Sequence, residues 1–220
     1  MAWPPTVHQD VTDEVTSLRT EVPAARGWAS TLLQRLRIGE NLVGTGGILW
    51  ITGRYYSSNM FGTSTTSSSA ANRLYLTPMY LPAPRNVDRI GINVTLAGAA
   101  GSVARLGVYN SDPTTGLPST VLVDGGTVAI SATGAAQVTV SATLHGLVWL
   151  ACTSGAATLV AFSTSQSPNI MGASSLASLG AVISVGKDNV DPTVALPNLT
   201  GATLTYGITS TPPAVAVRAV

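Results

Sequence analysis

Charge is scarce in this chain. Only 10% of its 220 residues are Asp, Glu, Lys or Arg, and lysine occurs once, at Lys187. With a formal net charge of +1, no field is available to draw in nucleic acid or an anionic membrane. Aromatics are equally sparse at 5%, which argues against the aromatic-lined cleft that usually accompanies a paired-carboxylate glycan hydrolase. The one cysteine, Cys152, rules out an internal disulfide. It lies in an apolar run that predicts a buried, inert thiol. Although 45% of residues are apolar, no uninterrupted run approaches the roughly 18–20 residues of a membrane helix.

Catalytic signatures are missing as well. The two histidines, His8 and His145, are far apart, and neither has a companion at metal-ligand spacing. Gly44 to Gly47 read GTGG without the lysine and helix of a phosphate loop. No GxSxG elbow accompanies His145, which is expected at a turn leading into a strand. Asp188 and Asp191, in KDNVDPT, lack the twelve-residue calcium pattern and read as turn formers. The expectation is a protein without enzymatic activity, cofactor or metal.

What is present divides the chain near Gly39. Nine of the twenty-one charged residues fall in the first forty positions. There Val11, Val15, Leu18 and Val22 recur at spacings of four, three and four, with Asp13, Glu14 and Arg19 off the seam. This is the pattern of a short heptad helix, capped by Asp10 or Thr12 and ended by Pro23. Two heptads are marginal alone, so residues 1–40 read as an arm that oligomerises or anchors the chain. A second amphipathic segment places Trp28, Leu32 and Leu36 four apart, before Gly39.

Residues 41–211 read as β structure. NLVGTGGILWIT is a glycine-punctuated strand candidate, and residues 57–72 form a polar, low-complexity loop. RLYLTPMY precedes the proline-rich LPAPRN. RIGINVTLA then sets Ile90, Ile92, Val94 and Leu96 on one face against Arg89, Asn93 and Thr95 on the other. Residues 105–152 contain four strand candidates, RLGVY, VLVDGGTVAIS, AQVTVSA and LVWLAC, the last with apolar residues on both faces. TLVAFS, AVISVG and TLTYGITS follow, and residues 212–220 read as an extended tail. About ten to twelve strands bounded by turn clusters predict a mainly β domain, an antiparallel β-sandwich or jelly roll behind a short helical segment.

Non-catalytic ligand binding has candidates. Sugar-binding sandwiches use exposed aromatic platforms flanked by amides and carboxylates. Tyr55, Tyr56 and Tyr109 fit that role, with Asn110 and Asp112 beside Tyr109 as contacts or, equally, as turn caps. Tyr109 opposes the inward pair Leu106 and Val108 and is expected to be exposed, whereas Trp149, between Val148 and Leu150, is expected in the core.

Four elements in residues 105–152 carry a resemblance: Leu106-Gly107-Val108-Tyr109, Gly116-Leu117-Pro118, Asp124-Gly125-Gly126-Thr127-Val128, and Gly146-Leu147-Val148-Trp149-Leu150-Ala151. Together they resemble a β-sandwich module of bacteriophage virion proteins, of tail-fibre and head-decoration type. The resemblance implies a non-enzymatic virion structural protein. MAWPPTVHQD has no basic segment followed by an apolar core, so no secretory signal peptide is expected and the protein is expected to be made in the host cytoplasm. The resemblance further implies a homotrimer attached to other virion proteins by its N-terminal arm, with a head facing a host-surface glycan. A capsid decoration protein or head fibre is the alternative within that class. A free carbohydrate-binding module or glycan hydrolase is the alternative outside it. Recognition is then expected in the loops at residues 109–118, 57–72 and 187–198.

Overall fold

A computed structural model of the chain describes residues 50–58, 64–162, 185–206 and 211–220. The helical arm with Val11, Val15, Leu18 and Val22, and the strand candidate up to residue 49, lie outside the described residues. Residues Trp50–Val220 form a compact unit of their own. The described part is mainly β, in one antiparallel sheet of ten strands, with no helix among the described residues.

The strands are β1 (Tyr55–Ser57), β2 (Ser64–Ser68), β3 (Leu74–Leu96), β4 (Val103–Ser111), β5 (Pro118–Ala129), β6 (Gly134–Ser154), β7 (Thr158–Phe162), β8 (Val185–Lys187), β9 (Thr205–Tyr206) and β10 (Ala216–Ala219). The main order is β1-β10-β3-β6-β4-β5; β7 joins β2 to β3, and β8 joins β9 to β3.

Two long strands organise everything else. β3 and β6 pair from Tyr75↔Cys152 to Val94↔Gly134. RLYLTPMY and RIGINVTLA are therefore one strand, and so are AQVTVSA and LVWLAC. The expected breaks are local irregularities: after Leu81↔Gly146 the register resumes at Arg85↔Leu144. Pro82, Ala83 and Pro84 thus stand against His145 alone, which makes a bulge that bends both strands. His145 is consequently exposed inside β6, not at the strand's start. Gly146 takes φ +71° at this bend, a left-handed conformation that glycine tolerates.

On either side of the bend the long pair has different neighbours. The half with Leu74–Leu81 and Val148–Ser154 is flanked by β8 and by β4, with β5 beyond. The half with Val87–Val94 and Gly134–Ala142 is flanked by β10, and β7 joins β3 at its end. Residues of both halves bury into a common core, with Leu106, Val108, Val128, Val148 and Leu150 from one and Ile90, Ile92, Val94 and Val217 from the other. The expected inward set of RIGINVTLA holds for its first three members. Leu96, at the strand's end, is 65% exposed.

The first half is buried on its second face too. Leu74, Leu76, Tyr109, Trp149 and Ala151 pack under Val190, Leu196, Leu199 and Leu204 from the segment that follows β8. That is why LVWLAC shows no alternation: Val148, Leu150 and Cys152 enter one core, and Trp149 and Ala151 the other. Both faces of that strand need apolar side chains.

Two stretches differ from expectation. Part of the polar loop 57–72 is a strand: β2 pairs with β7 residue by residue, from Ser64↔Phe162 to Ser68↔Thr158. Backbone pairing does not require apolar side chains on a strand whose outer positions are solvated. The C-terminal residues are not a tail outside the domain. β10 lies between β1 and β3, and Val215, Val217 and Ala219 are at most 1% exposed. The period-two pattern in AVAVRAV is that of a half-buried strand, and Pro212 and Pro213 end just before it.

Candidate functional site

Beyond the bend, β1, β10, β3 and β6 lie side by side and present one face away from the core. Directly paired residues point to the same side of a sheet, so the register sets the layout of that face. One row runs Tyr55–Arg218–Arg89–Thr139, and the next Ser57–Ala216–Gly91–Gln137. Asn93 and Ala135 pair one step further on. The alternate residues, Val217, Ile90 and Val138, point into the core.

Small residues open a cavity here. Gly91 has no Cβ, and Ala135, Ala214 and Ala216 contribute only methyl groups. The resulting hollow of about 350 Å³ is also lined by Tyr55, Asn93 and Gln137. A Cβ on Gly91 would lie 3.2 Å from Gln137 Cβ and 3.3 Å from the Ala136 carbonyl, so the floor admits nothing larger without displacement. Tyr55 forms a wall, 46% exposed, and its hydroxyl donates to Gln137 Oε1 across the hollow. The lining is thus a mostly apolar floor, one aromatic ring and two amide side chains.

Charge gathers at the Tyr55 end. The Arg218 guanidinium donates from both Nε and Nη2 to the Asp88 carboxylate, with Nε–Oδ1 at 2.8 Å. These bonds, which outweigh partial desolvation, hold the Asp88 carboxyl below the usual carboxylate range. The same bonds, with the Tyr55 hydroxyl as a further partner, raise Arg218. Arg89, next in the row, has no carboxylate partner among the described residues, and its Nε is buried without a hydrogen-bond acceptor. Asp88 is bonded to Arg218 and also feels the Arg89 charge through space, so the three groups together carry one net positive charge.

Tyr55 is the one sequence-predicted ligand residue that the fold places at the cavity. Tyr56, the next residue along β1, faces the other way: its ring stacks on Trp50 with centroids 4.5 Å apart, and its hydroxyl accepts from the Ile51 amide at 2.7 Å. Arg85 completes that cluster, its Cζ 5.9 Å from the Trp50 ring centroid.

The expectation for Tyr109 is corrected. It is fully buried, and its hydroxyl donates to the Pro197 carbonyl at 2.9 Å. Burial pushes its phenol well above the ordinary range. Alternation put Tyr109 opposite Leu106 and Val108, but the segment after β8 covers that second face. Asn110 spans to Thr120 Oγ1 at 3.0 Å. Asp112 accepts from the amides of Thr114 and Thr115 and from the Thr115 hydroxyl, which makes it the cap of its turn. Trp149 is a core residue, as its place mid-strand predicts, and its Nε1 donates to the Gly116 carbonyl at 3.0 Å.

Of the carboxylates weighed as ion ligands, Asp188 pairs with Arg73, and Asp191 accepts from the amide and hydroxyl of Thr193 at 2.8 Å each. Cys152 is 1% exposed, and burial pushes its thiol up to about 12.

Sequence reasoning did not single out Gln137, Asn93, Arg89 and Arg218 as site residues. Alternation shows the first three to be outward, but only strand pairing shows that they are neighbours of Tyr55. No protein-family model and no curated protein sequence matches the chain.

Proposed function

We propose that this chain is a non-enzymatic component of a bacteriophage particle, of tail-fibre or spike type. Residues 50–220 form a β-sandwich of jelly-roll kind that binds a host-surface glycan in the Tyr55 cavity. The N-terminal arm, residues 1–40, assembles the chain as a homotrimer and attaches it to other virion proteins. The virion setting rests on the resemblance in residues 105–152. The bent β3/β6 pair, burying residues of both its halves in a common core, supports the sandwich reading.

The observation that carries recognition is the cavity itself. An aromatic wall beside two amides over a floor of glycine and alanine is how a protein meets a sugar ring, with apolar contact to its C–H face and hydrogen bonds to its hydroxyls. None of the side chains lining it is paired with a general base in the manner of an activated nucleophile. A capsid decoration protein would also use an anchored β head; the cavity favours the recognition reading.

The test uses the full chain. Immunogold labelling of particles is expected to mark the tail, and purified protein is expected to compete with particles for adsorption to host cells. Label on the head together with unimpaired adsorption would replace this reading by the decoration one. Solution mass is expected to be that of three chains, and a monomer would remove the role given to Val11, Val15, Leu18 and Val22.

A further inference from the structure

We infer that the Tyr55 cavity is selective for a sugar bearing a carboxylate, held with that carboxylate at Arg89; the inference rests on the recognition reading above and names its ligand class. Three features of the face lead there. First, the charge at this end is unbalanced by one unit. Asp88 bonds Arg218 through Nε and Nη2, whereas Arg89, which attracts Asp88 only through space, has no ion pair with a carboxylate among the described residues. Second, Arg89 Nε is buried with no acceptor, so a donor is already withdrawn from water and lacks its bond. A carboxylate is the acceptor whose geometry a guanidinium fits. Third, the spacing is that of a single sugar. Arg89 precedes Gly91 by two positions on β3, so the two lie roughly 6.6 Å apart along the strand and face the same way.

A pyranose seated over Gly91 and Ala135, with a C–H face against Tyr55, places its hydroxyls at Gln137 and Asn93. A carboxylate on one ring edge then reaches Arg89. Uronic and sialic acids have that shape. A net charge of one at this end suits a monoanion, while a phosphate dianion would call for a second positive charge.

Binding to the full chain is to be measured by calorimetry with 3′-sialyllactose, a glucuronate-containing disaccharide, and lactose as the neutral control. At least one acidic probe is expected to bind about tenfold or more tightly than lactose, as a charge-assisted bond implies, with the preference shrinking as salt is added. Arg89→Gln is expected to erase the preference while weak binding of the sugar ring persists. Ala135→Leu, at an exposed position, is expected to fill the hollow and abolish binding of all probes without lowering the melting temperature. The melting temperature of Arg89→Gln is read alongside; where that variant does not fold, Arg89→Lys replaces it and is expected to lose most of the preference. Equal affinity for acidic and neutral sugars, or an unchanged preference in the Arg89 variants, overturns the inference and leaves glycan recognition standing. Acidic-sugar binding unaffected by Ala135→Leu places the site elsewhere and overturns it too. If no sugar binds and the protein does not block adsorption, both readings fall together.

Discussion

The carboxylate of Asp124 holds three segments at once. Its oxygens accept from Arg105 Nε and Nη2 at 2.8 to 3.1 Å, from the Gly126 amide at 3.1 Å and from the Leu196 amide at 3.0 Å. β4, the turn inside β5 and the segment covering the second core thus meet at one side chain. Partial burial, the largest influence, pushes its carboxyl up. The bonds from Arg105 and the two amides together outweigh that and hold it below the usual carboxylate range. A carboxylate depressed in the folded state contributes stability that is present above its unfolded pKa of about 3.9 and lost as pH falls through the folded value. Asp124→Asn keeps the size but weakens the charge-assisted bonds, and is expected to cost about 1–3 kcal/mol at neutral pH. Urea unfolding checks this across pH: the gap between wild type and variant should narrow below about pH 4. A constant gap would show that the charge is not what matters. In the sequence Asp124-Gly125-Gly126 is visible as turn chemistry that interrupts the apolar text of VLVDGGTVAIS. Its bond to a residue 72 positions later is not, because a turn signature reports only on its own neighbours.

At the scale of elements, the segment of residues 188–204 decides what the opposite strands become. It has almost no regular structure, yet it is tied down at intervals: the Val190 amide to the Asn72 carbonyl, the Thr153 hydroxyl to the Val190 carbonyl, the Leu199 amide to the Ser119 carbonyl. Between these ties Val190, Leu196 and Leu199 cover Tyr109 and Trp149. The close approach depends on Gly107, where a Cβ would lie 2.5 Å from the Val123 carbonyl oxygen and would also collide with the Leu196 side chain. In the sequence residues 187–198, which take in most of this segment, read as a loop and a place for ligands, because Asp, Asn and Pro recur through them. The buried Val190, Leu196 and Leu199 follow no strand or helix period, so pattern reading has no template for them. The strand beneath was more legible, since LVWLAC has the doubly apolar text of a strand buried on both sides. Leu199→Ala is expected to cost about 2–5 kcal/mol by emptying that second core. Gly107→Ala is expected to destabilise by about 1–3 kcal/mol through overpacking. Both should leave sugar binding at Tyr55 unchanged once the protein is folded, because the cavity lies on the other half of the sheet. Thermal melts with and without ligand separate the two effects. Loss of binding in a folded Leu199→Ala protein would mean that the recognition surface includes the second face after all.

Over the whole molecule, the order β1-β10-β3-β6-β4-β5 makes the cavity a product of both chain ends of the described unit. β1 brings Tyr55, β10 brings Ala216, and the middle of the chain supplies Gly91, Asn93, Ala135 and Gln137. Such a site is poorly legible in sequence: its members lie up to 161 positions apart, from Tyr55 to Ala216, and period-two alternation says which residues face outward without saying which strands adjoin. The mainly β class was readable because alternation and turn chemistry are local. The place of the C-terminal strand was not. Residues 212–220 read as a tail because a Pro-Pro pair precedes a short run of small apolar residues, but pairing puts that run inside the sheet. Deleting them is therefore expected to remove Val215, Val217 and Ala219 from the core, leave the β3 edge unpaired from Val87 to Gly91, and detach β1, whose strand partner is β10. Burying a single Val-sized side chain is worth about 1.5–3 kcal/mol, so losing two valines together with two ladders exceeds a large share of the roughly 5–15 kcal/mol that holds a domain folded. A chain ending at residue 211 is expected to be largely unfolded or aggregated, as judged by the loss of its cooperative thermal transition. If it instead melts cooperatively within a few degrees of the intact protein, the C-terminal strand is dispensable. The Tyr55 cavity must then be built without it.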